Sequence, residues 1–329
     1  MRVIVTGGAG YIGSHTVREL AAAGWDVVVI DNLVYGHRGA IINDKVTLLE
    51  GSIDDPAILD QAFAKPVEVV VHFAAYAYVG ESVTEPLKYY QNNLAAPLAL
   101  LTRMKQENCT RFVFSSTCAT YGIPEQIPIV ETESQQPINP YGQSKLMLEK
   151  VLLDCEHAWG LKSVFLRYFN AAGSSSDGKI GEDHDPETHL IPLVIAAAMG
   201  KRDHISIFGS DYPTPDGTCV RDYIHVEDLA TAHTKAITYL ENGGATTAVN
   251  LGTGVPVSVK ELIEEFEKVS GLTVPVQSAD RRAGDPPELL ADPSLAKETL
   301  GWQAEKSDIS NILRTAYAWF SQPHGGKYS

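Results

Sequence analysis

The stretch TGGAGYIGS at residues 6–14 follows a β-branched run, RVIVT (2–6). It also opens a helical pattern over 11–23, where Ile12, Val17 and Leu20 help to form an apolar face. That order restricts the fold more than any other feature of the chain. Gly7, Gly10 and Gly13, with Gly8 extra, suit a tight turn, close backbone approach to a pyrophosphate, and close packing of helix on sheet. The helix start at Tyr11 and Ile12 then offers phosphates unpaired N–H groups and a partial positive charge. A second apolar run, WDVVVID (25–31), ends in Asp31, 18 residues after Gly13, and Asn32 rather than an arginine comes next. An acid in that place binds the adenosine ribose hydroxyls and repels a 2′-phosphate, so the expected cofactor is NAD rather than NADP.

Similar runs recur: VTLLEG (46–51), VEVVVHFAA (67–75), RFVFSST (111–117) and SVFLRYFN (163–170). Helices are expected between most of them, at 55–64, 84–108 and 139–158. The alternation predicts an α/β fold, a doubly wound parallel sheet of the Rossmann kind with helices on both faces. Near-continuous apolar strands fit burial on two sides. After Asn170 the character changes. Residues 171–189 are rich in Gly, Ser and Asp and form a long loop, a class that is commonly functional. A helix at 190–200, strand ISIFG (205–209), a loop at 210–219, strand TAVNLG (247–252) and a helix at 258–270 follow. These predict a second, smaller α/β substrate domain. The expected division is an NAD-binding domain over 1–170, joined by part of 220–255, and a mainly substrate-binding domain over 171–329.

The 329 residues carry 26 Lys and Arg against 41 Asp and Glu, a formal net charge of −15. Such a surface argues against nucleic acid or an anionic membrane as partner. No segment supplies the roughly 18 consecutive apolar residues of a membrane helix. Cys109, Cys118, Cys155 and Cys219 lack CxxC spacing and are expected as reduced thiols. Met1 leads directly into a strand without a charged leader and apolar signal core. The expected location is cytoplasmic, and no metal is expected.

Tyr141 and Lys145 lie one helical turn apart in INPYGQSK. Asn139 is a favoured N-cap and Pro140 a favoured first helical residue, so Tyr141 falls in the first turn. A phenol normally titrates near ~10. The helix dipole, the ammonium group and an oxidised nicotinamide are each expected to lower that value. Such a phenolate takes the proton of an alcohol while a hydride leaves the same carbon. YxxxK alone is a common surface pair. Its weight here comes from the preceding strand, which ends in Ser115, Ser116 and Thr117. Those hydroxyls project at the carboxyl end of the sheet, where ligands bind. Thr117 suits a bond to the reacting oxygen, whereas Ser115 suits closing the strand locally.

Together with the glycine loop and Asp31, the segments SSTCATYG, YGQSK, RYFNAAG, IFGSDYPTPDGTCVRDYIHV, CVRDYIHVEDLA and RRAGD (281–285) resemble the extended short-chain dehydrogenase/reductase family. More narrowly they resemble its UDP-glucose 4-epimerases, from Met1 to about Trp302. The resemblance implies that bound NAD takes a hydride from sugar C4 while Tyr141 takes the hydroxyl proton. The 4-ketopyranose then turns over within the pocket and receives the hydride on its other face, interconverting UDP-galactose and UDP-glucose. The implied catalytic residues are Tyr141, Lys145 and Thr117. The implied cofactor contacts are Gly7, Gly10, Tyr11, Ile12, Gly13, Asp31, Asn32, Ser52, Ile53, Phe73, Ala74, Asn93, Ser115, Tyr141, Lys145 and Tyr168. The implied UDP-sugar contacts are Thr117, Asn170, His189, Leu190, Phe208, Arg221, Arg282, Asp285 and Leu289. Arg221 and Arg282 suit two phosphates, with a structural salt bridge the plainer alternative. Phe208 and Tyr168 are alternatively core. The family also implies a homodimer built on helices 84–108 and 139–158.

Four positions depart from well-known members. Ser52 replaces an acid beside adenine, with Asp54 and Asp55 close by, and Ala77 replaces a lysine. His189 stands where some members carry Asn and either bonds the nucleotide or caps the next helix. Leu289, at the place that gates sugar size, is neither bulky and aromatic nor small. UDP-N-acetylhexosamine and UDP-arabinose/UDP-xylose 4-epimerases therefore remain alternatives, and SSTCATYG with INPYG also resembles plant-type UDP-arabinose 4-epimerases. Dehydratases and decarboxylases of the family carry an acid after the threonine strand. Cys118 and Ala119 occupy those places here. A non-catalytic NAD-sensing protein typically loses the Tyr or Lys, and both are present.

Overall fold

The computed structural model describes residues 1–281 and 286–328. Strands β1 (Arg2–Thr6), β2 (Asp26–Asp31), β3 (Thr47–Glu50), β4 (Val69–His72), β5 (Arg111–Thr117) and β6 (Lys162–Tyr168) alternate with helices α1 (Tyr11–Ala22), α2 (Pro56–Ala62), α3 (Val79–Thr84), α4 (Pro86–Tyr90), α5 (Ala96–Gln106) and α6 (Pro140–Trp159). The later elements are β7 (Asn170–Ala172), α7 (Leu190–Ala198), β8 (Ile205–Phe208), β9 (Val220–Arg221), β10 (Tyr223–His225), α8 (Val226–Glu241), β11 (Thr247–Leu251), β12 (Val257–Ser258), α9 (Val259–Ser270), β13 (Val276–Ala279), β14 (Glu288–Leu289), α10 (Ser294–Leu300) and α11 (Ile309–Phe320).

Seven strands form one parallel sheet in the order β11-β6-β5-β4-β1-β2-β3. The winding reverses between β1 and β4, which opens a crevice at their carboxyl ends. Alternate residues of each strand feed two cores. Val3, Val5, Val27, Val29, Val69 and Val71 pack with Val17 and Leu20 of α1 and Leu229 and Ile237 of α8. Ile4, Val28, Ile30, Val70, Phe112 and Phe114 pack with Leu100 of α5 and Leu148 and Leu152 of α6. A third core, with Val194, Ile195, Leu262, Phe266, Ile312 and Leu313, gathers α7, α9 and α11. The doubly wound sheet and the separate smaller α/β portion are as the sequence predicts.

The expected helix over 84–108 is not continuous. Glu85 interrupts it before Pro86, which cannot donate to the preceding turn, and a π-helical turn, Gln91–Ala95, separates α4 from α5. The run expected at 67–75 is a strand only to His72, and the one at 163–170 breaks at Phe169. β11 extends the main sheet beside β6, and α8, which periodicity had not picked out, packs on α1.

Candidate active site

The glycine loop sits at the sheet's reversal point. Gly7 has φ of +68°, and a Cβ there would meet the Ala74 backbone at 2.6 Å. A Cβ on Gly13 would fall 2.2 Å from the Gly7 carbonyl oxygen. Helix α1 starts after Gly10 with no side-chain cap and no acid in its first turn. Its first N–H groups are therefore free to meet an anion. Asp31, at the end of β2, is 7% exposed. It accepts from Ala9 N on one oxygen and Leu33 N on the other, both at 2.9 Å. Burial raises its pKa, opposed by those two bonds. Each oxygen keeps a further lone pair for a hydroxyl donor. The cradle and the acid fit a dinucleotide without a 2′-phosphate.

Other expected cofactor residues take more structural parts. Tyr11 donates to Gly173 O at 2.6 Å and ties the glycine loop to the loop after β7. Ile12 and Ile53 pack in the two sheet cores. Asn32 accepts from Val34 N at 3.2 Å, and the Ser52 hydroxyl donates to Asp54. Phe73 packs on His233, ring centroids 4.5 Å apart. Asn93, in the π-helical turn, holds both backbone groups of Tyr76 at 2.8 and 2.9 Å and reaches Ser144 Oγ at 3.2 Å. It thus fixes the loop that carries Ala77. A cation does reach this loop, but from α4: Lys88 Nζ lies 4.5 Å from the Tyr76 ring centroid and 2.7 Å from Glu81.

The residues expected to be catalytic converge at the carboxyl end of β5. Asn139 Oδ1 accepts from Gly142 N at 2.8 Å and Pro140 opens α6, as the sequence indicates. The Thr117 hydroxyl lies near enough to Tyr141 to favour its phenolate. Lys145 Nζ donates to Ser115 O at 2.8 Å and stands 5.0 Å from the Phe114 ring centroid. The Ser115 and Tyr168 hydroxyls bond to each other. The expected lowering of the phenol pKa is not met by the protein alone. Burial raises Tyr141 to about 12 and outweighs the opposing effect of the nearby Thr117 hydroxyl. Burial also lowers Lys145 from 10.5 to about 7, against the opposing pull of Glu149. Desolvation favours the neutral form of both groups.

The reason α6 holds this pose was not singled out from the sequence. Glu149 lies four residues beyond Lys145 on the same face. It forms a buried bidentate pair with Arg167 of β6, at 3.0 and 2.7 Å. Ser116 Oγ donates to Glu149 at 2.5 Å, and Arg167 reaches the Tyr121 hydroxyl at 3.0 Å. The i, i+4, i+8 spacing of Tyr141, Lys145 and Glu149 was the available signal.

Three of the expected substrate residues, Asn170, Arg221 and Leu289, gather around β9. Leu289 pairs with Arg221 across β14 and β9. It also packs beside Cys118 and Phe169, next to Thr117. Arg221 donates to Val220 O at 2.8 Å and Pro286 O at 3.0 Å. Asn170 Nδ2 donates to Asp222 O at 2.8 Å. Asp222 was also passed over, although it sits in the RDYIHV block. Its buried carboxylate takes Thr253 N, Gly254 N and Ala291 N and fastens three loops together. Phe208 ends β8 in a separate two-stranded sheet with β13. Arg282 and Asp285 lie outside the described residues.

His189 is the N-cap residue of α7, yet its side chain makes no cap bond. The capping alternative therefore fails. The ring turns to Glu182, Nδ1 to Oε1 at 2.5 Å, and Leu190 begins the helix beside it. Burial lowers the His189 pKa, but the charge and hydrogen bond of Glu182 together with the Glu187 charge outweigh it and raise it to about 9.

Residues 3–252 match the NAD dependent epimerase/dehydratase family. A UDP-glucose 4-epimerase of Lacticaseibacillus casei is 48% identical over 327 residues, spanning 99% of this chain and 98% of the relative. The crystal structure of UDP-glucose 4-epimerase from Brucella ovis in complex with NAD is 50% identical, with TM-score 0.94, covering 99% of this chain and 98% of that one. That from Bifidobacterium longum in complex with NAD+ and UDP is 38% identical, also with TM-score 0.94, covering 99% of this chain and 100% of that one. The chain therefore belongs to the NAD dependent epimerase/dehydratase family, among its UDP-glucose 4-epimerases.

Proposed function

We propose that this protein interconverts UDP-galactose and UDP-glucose by inverting sugar C4. The observation that carries the reading is the junction of β5 and α6. A phenol there, Tyr141, stands beside the Thr117 hydroxyl and one turn before Lys145, and the residue after Thr117 is a thiol rather than an acid. Bound NAD supplies a reversible hydride acceptor and a positive charge beside the phenol. Thr117 positions the C4 hydroxyl, and Tyr141 takes its proton and later returns it to the ketone oxygen. Lys145, held on Ser115 O, keeps a cation within the same buried setting. The protein alone disfavours the phenolate, so the base forms only once positive charge is gathered around it.

Dehydration needs a further acid near Thr117. Cys118 cannot serve, because burial raises its thiol to about 12, and Ala119 has no ionisable group. Asn170, His189, Leu190, Phe208, Arg221, Arg282, Asp285 and Leu289 are assigned to the UDP-sugar. Residues 1–170, with β11 and α8, are assigned to NAD and most of 171–329 to substrate. Holding the nucleotide firmly leaves the sugar free to turn, which is remote binding energy used for positioning. The deciding experiment is incubation with UDP-galactose, UDP-N-acetylgalactosamine and UDP-arabinose separately, with products read by NMR. UDP-glucose should form without accumulation of NADH. Accumulating NADH, or a dehydrated sugar, would refute the epimerase assignment.

We also propose that the protein acts as a homodimer in the cytoplasm. Val83 and Leu87, 63% and 72% exposed, lie on the 79–106 segment, and Leu153 on α6 is 47% exposed. These apolar side chains support a helical dimer face. No helix among the described residues is long and apolar enough to cross a membrane. Light scattering should give twice the chain mass for the parent and the monomer mass for Leu87→Glu with Leu153→Glu. A monomeric parent overturns the dimer.

A further inference from the structure

The loop over 181–189 gathers four ligand groups that the catalytic scheme does not use together. Glu182, His184, Glu187 and His189 place one donor atom each within 4.8 Å of one another. His189 Nδ1 lies 2.5 Å from Glu182 Oε1 and 3.5 Å from Glu187 Oε1. His184 Nδ1 lies 3.1 Å from Glu182 Oε1 and 3.9 Å from Glu187 Oε2. Ligands about 2.0 Å from a tetrahedral zinc stand about 3.3 Å apart, which lies in the middle of these separations. Two imidazoles share one carboxylate oxygen, an arrangement that a single cation between them would also satisfy.

A separate feature points into the same place. The Tyr78 hydroxyl is buried and has no hydrogen-bond partner among the described residues. Its ring meets the His184 ring at 6.1 Å, edge to face. Leaving a buried hydroxyl unpaired is costly, and a water bound to an ion would satisfy it. The surrounding loop is held in advance. Trp319 Nε1 donates to Glu182 O at 2.8 Å, and the Tyr328 hydroxyl takes Gly181 N at 2.9 Å. Asp183, between the ligands, is held by Tyr328 N at 2.9 Å and Lys327 Nζ at 2.7 Å. Such outer bonds orient ligands and tune affinity.

We propose that Glu182, His184, Glu187 and His189 bind a first-row divalent cation, zinc by donor set and spacing, with the Tyr78 ring packed against that of His184. The ion clips the 181–189 loop to the start of α7. It sits beside Tyr11 of the glycine loop, whose ring lies 6.2 Å from that of His184. Its role is to fix the loop that spans the cofactor cradle and the nucleotide side of the substrate site. Mixed nitrogen and oxygen ligands favour zinc over magnesium or calcium.

The test uses the full chain, dialysed against a chelator and titrated with Zn2+ by calorimetry and with Co2+ by visible absorption. One equivalent should bind, Co2+ should develop ligand-field bands at that stoichiometry, and excess Mg2+ should not displace it. His184→Gln and His189→Gln should each weaken Zn2+ at least about 10-fold and alter the Co2+ bands. His157→Gln, on the exposed face of α6, should do neither. His189 is 48% exposed, so its variant tests the site even should His184→Gln not fold. Failure of the parent to take up one equivalent, or uptake by His189→Gln equal to the parent, overturns the proposal. Neither outcome touches the epimerase reading, which rests on sugar products.

Discussion

Glu149→Gln is the perturbation that most directly tests how α6 is held. Glu149 and Arg167 are 3% and 6% exposed. The carboxylate accepts four hydrogen bonds: Arg167 Nε at 3.0 Å and Ser116 Oγ at 2.5 Å on Oε1, Arg167 Nη2 at 2.7 Å and Gln135 Nε2 at 3.1 Å on Oε2. Glutamine keeps the shape but turns one oxygen into an NH2. Whichever way the amide faces, one guanidinium N–H then points at a donor and the buried charge loses its counter-ion. Lost hydrogen bonds to charged groups cost about 1.5–3 kcal/mol each, and breaking a buried ion pair about 3–5 kcal/mol in total. For a chain of this size about 2 °C of Tm goes with each kcal/mol. The expected fall is therefore about 5–10 °C, read by thermal melts of parent and variant carrying the same amount of cofactor. Glu149→Leu with Arg167→Met removes both charges together and should lose less than Glu149→Gln alone. A Tm within about 1 °C of the parent for Glu149→Gln would refute the claim that this pair fixes the catalytic helix.

Three further outcomes follow from the site. Tyr141→Phe should lower kcat at least about 100-fold while NAD stays bound, measured by turnover and by nucleotide released on denaturation; a near-normal rate refutes the base assignment. Arg221→Ala should raise KM for UDP-galactose about 10-fold or more, as expected for a lost charged contact to phosphate; an unchanged KM moves the phosphate site elsewhere. Lys145 has its folded pKa depressed to about 7 from 10.5. Between those values the unfolded chain binds more protons, so this group makes stability rise with pH. Below about pH 7 both states are protonated and its contribution is flat. Cofactor-free parent should thus gain more stability from pH 7 to pH 9 than Lys145→Met in urea unfolding, and equal gains refute the depressed value.

Much of the molecule was legible along the chain because its signals are local. Strands β1 and β5 fall where the β-branched runs are. The glycine loop is read from spacing because its turn and helix start are made by consecutive residues. Asn139 and Pro140 announce α6 by capping chemistry, and helical period alone puts Tyr141 and Lys145 on one face. The π-helical turn was not legible, since its Asn93 reaches the Tyr76 backbone across the fold. Helix α8 was passed over because its apolar face acquires meaning only when it meets α1.

Tertiary structure decided the quantities that govern chemistry. Ionisation of Tyr141 and Lys145 turned on desolvation, which residue spacing does not encode, and it reversed the expected direction for the phenol. Glu149 became the anchor of α6 only when β6 brought Arg167 beneath it. Asp222 became a fastener when two loops presented three N–H groups to it. His189 was a lone departure from the family pattern until folding set it against Glu182, Glu187 and His184. The sequence alone determined most strands of the main sheet, the glycine loop, and the residue types that stand ready at their ends. Charge, burial and partnership are properties of distance through space, and only the packed fold supplied them.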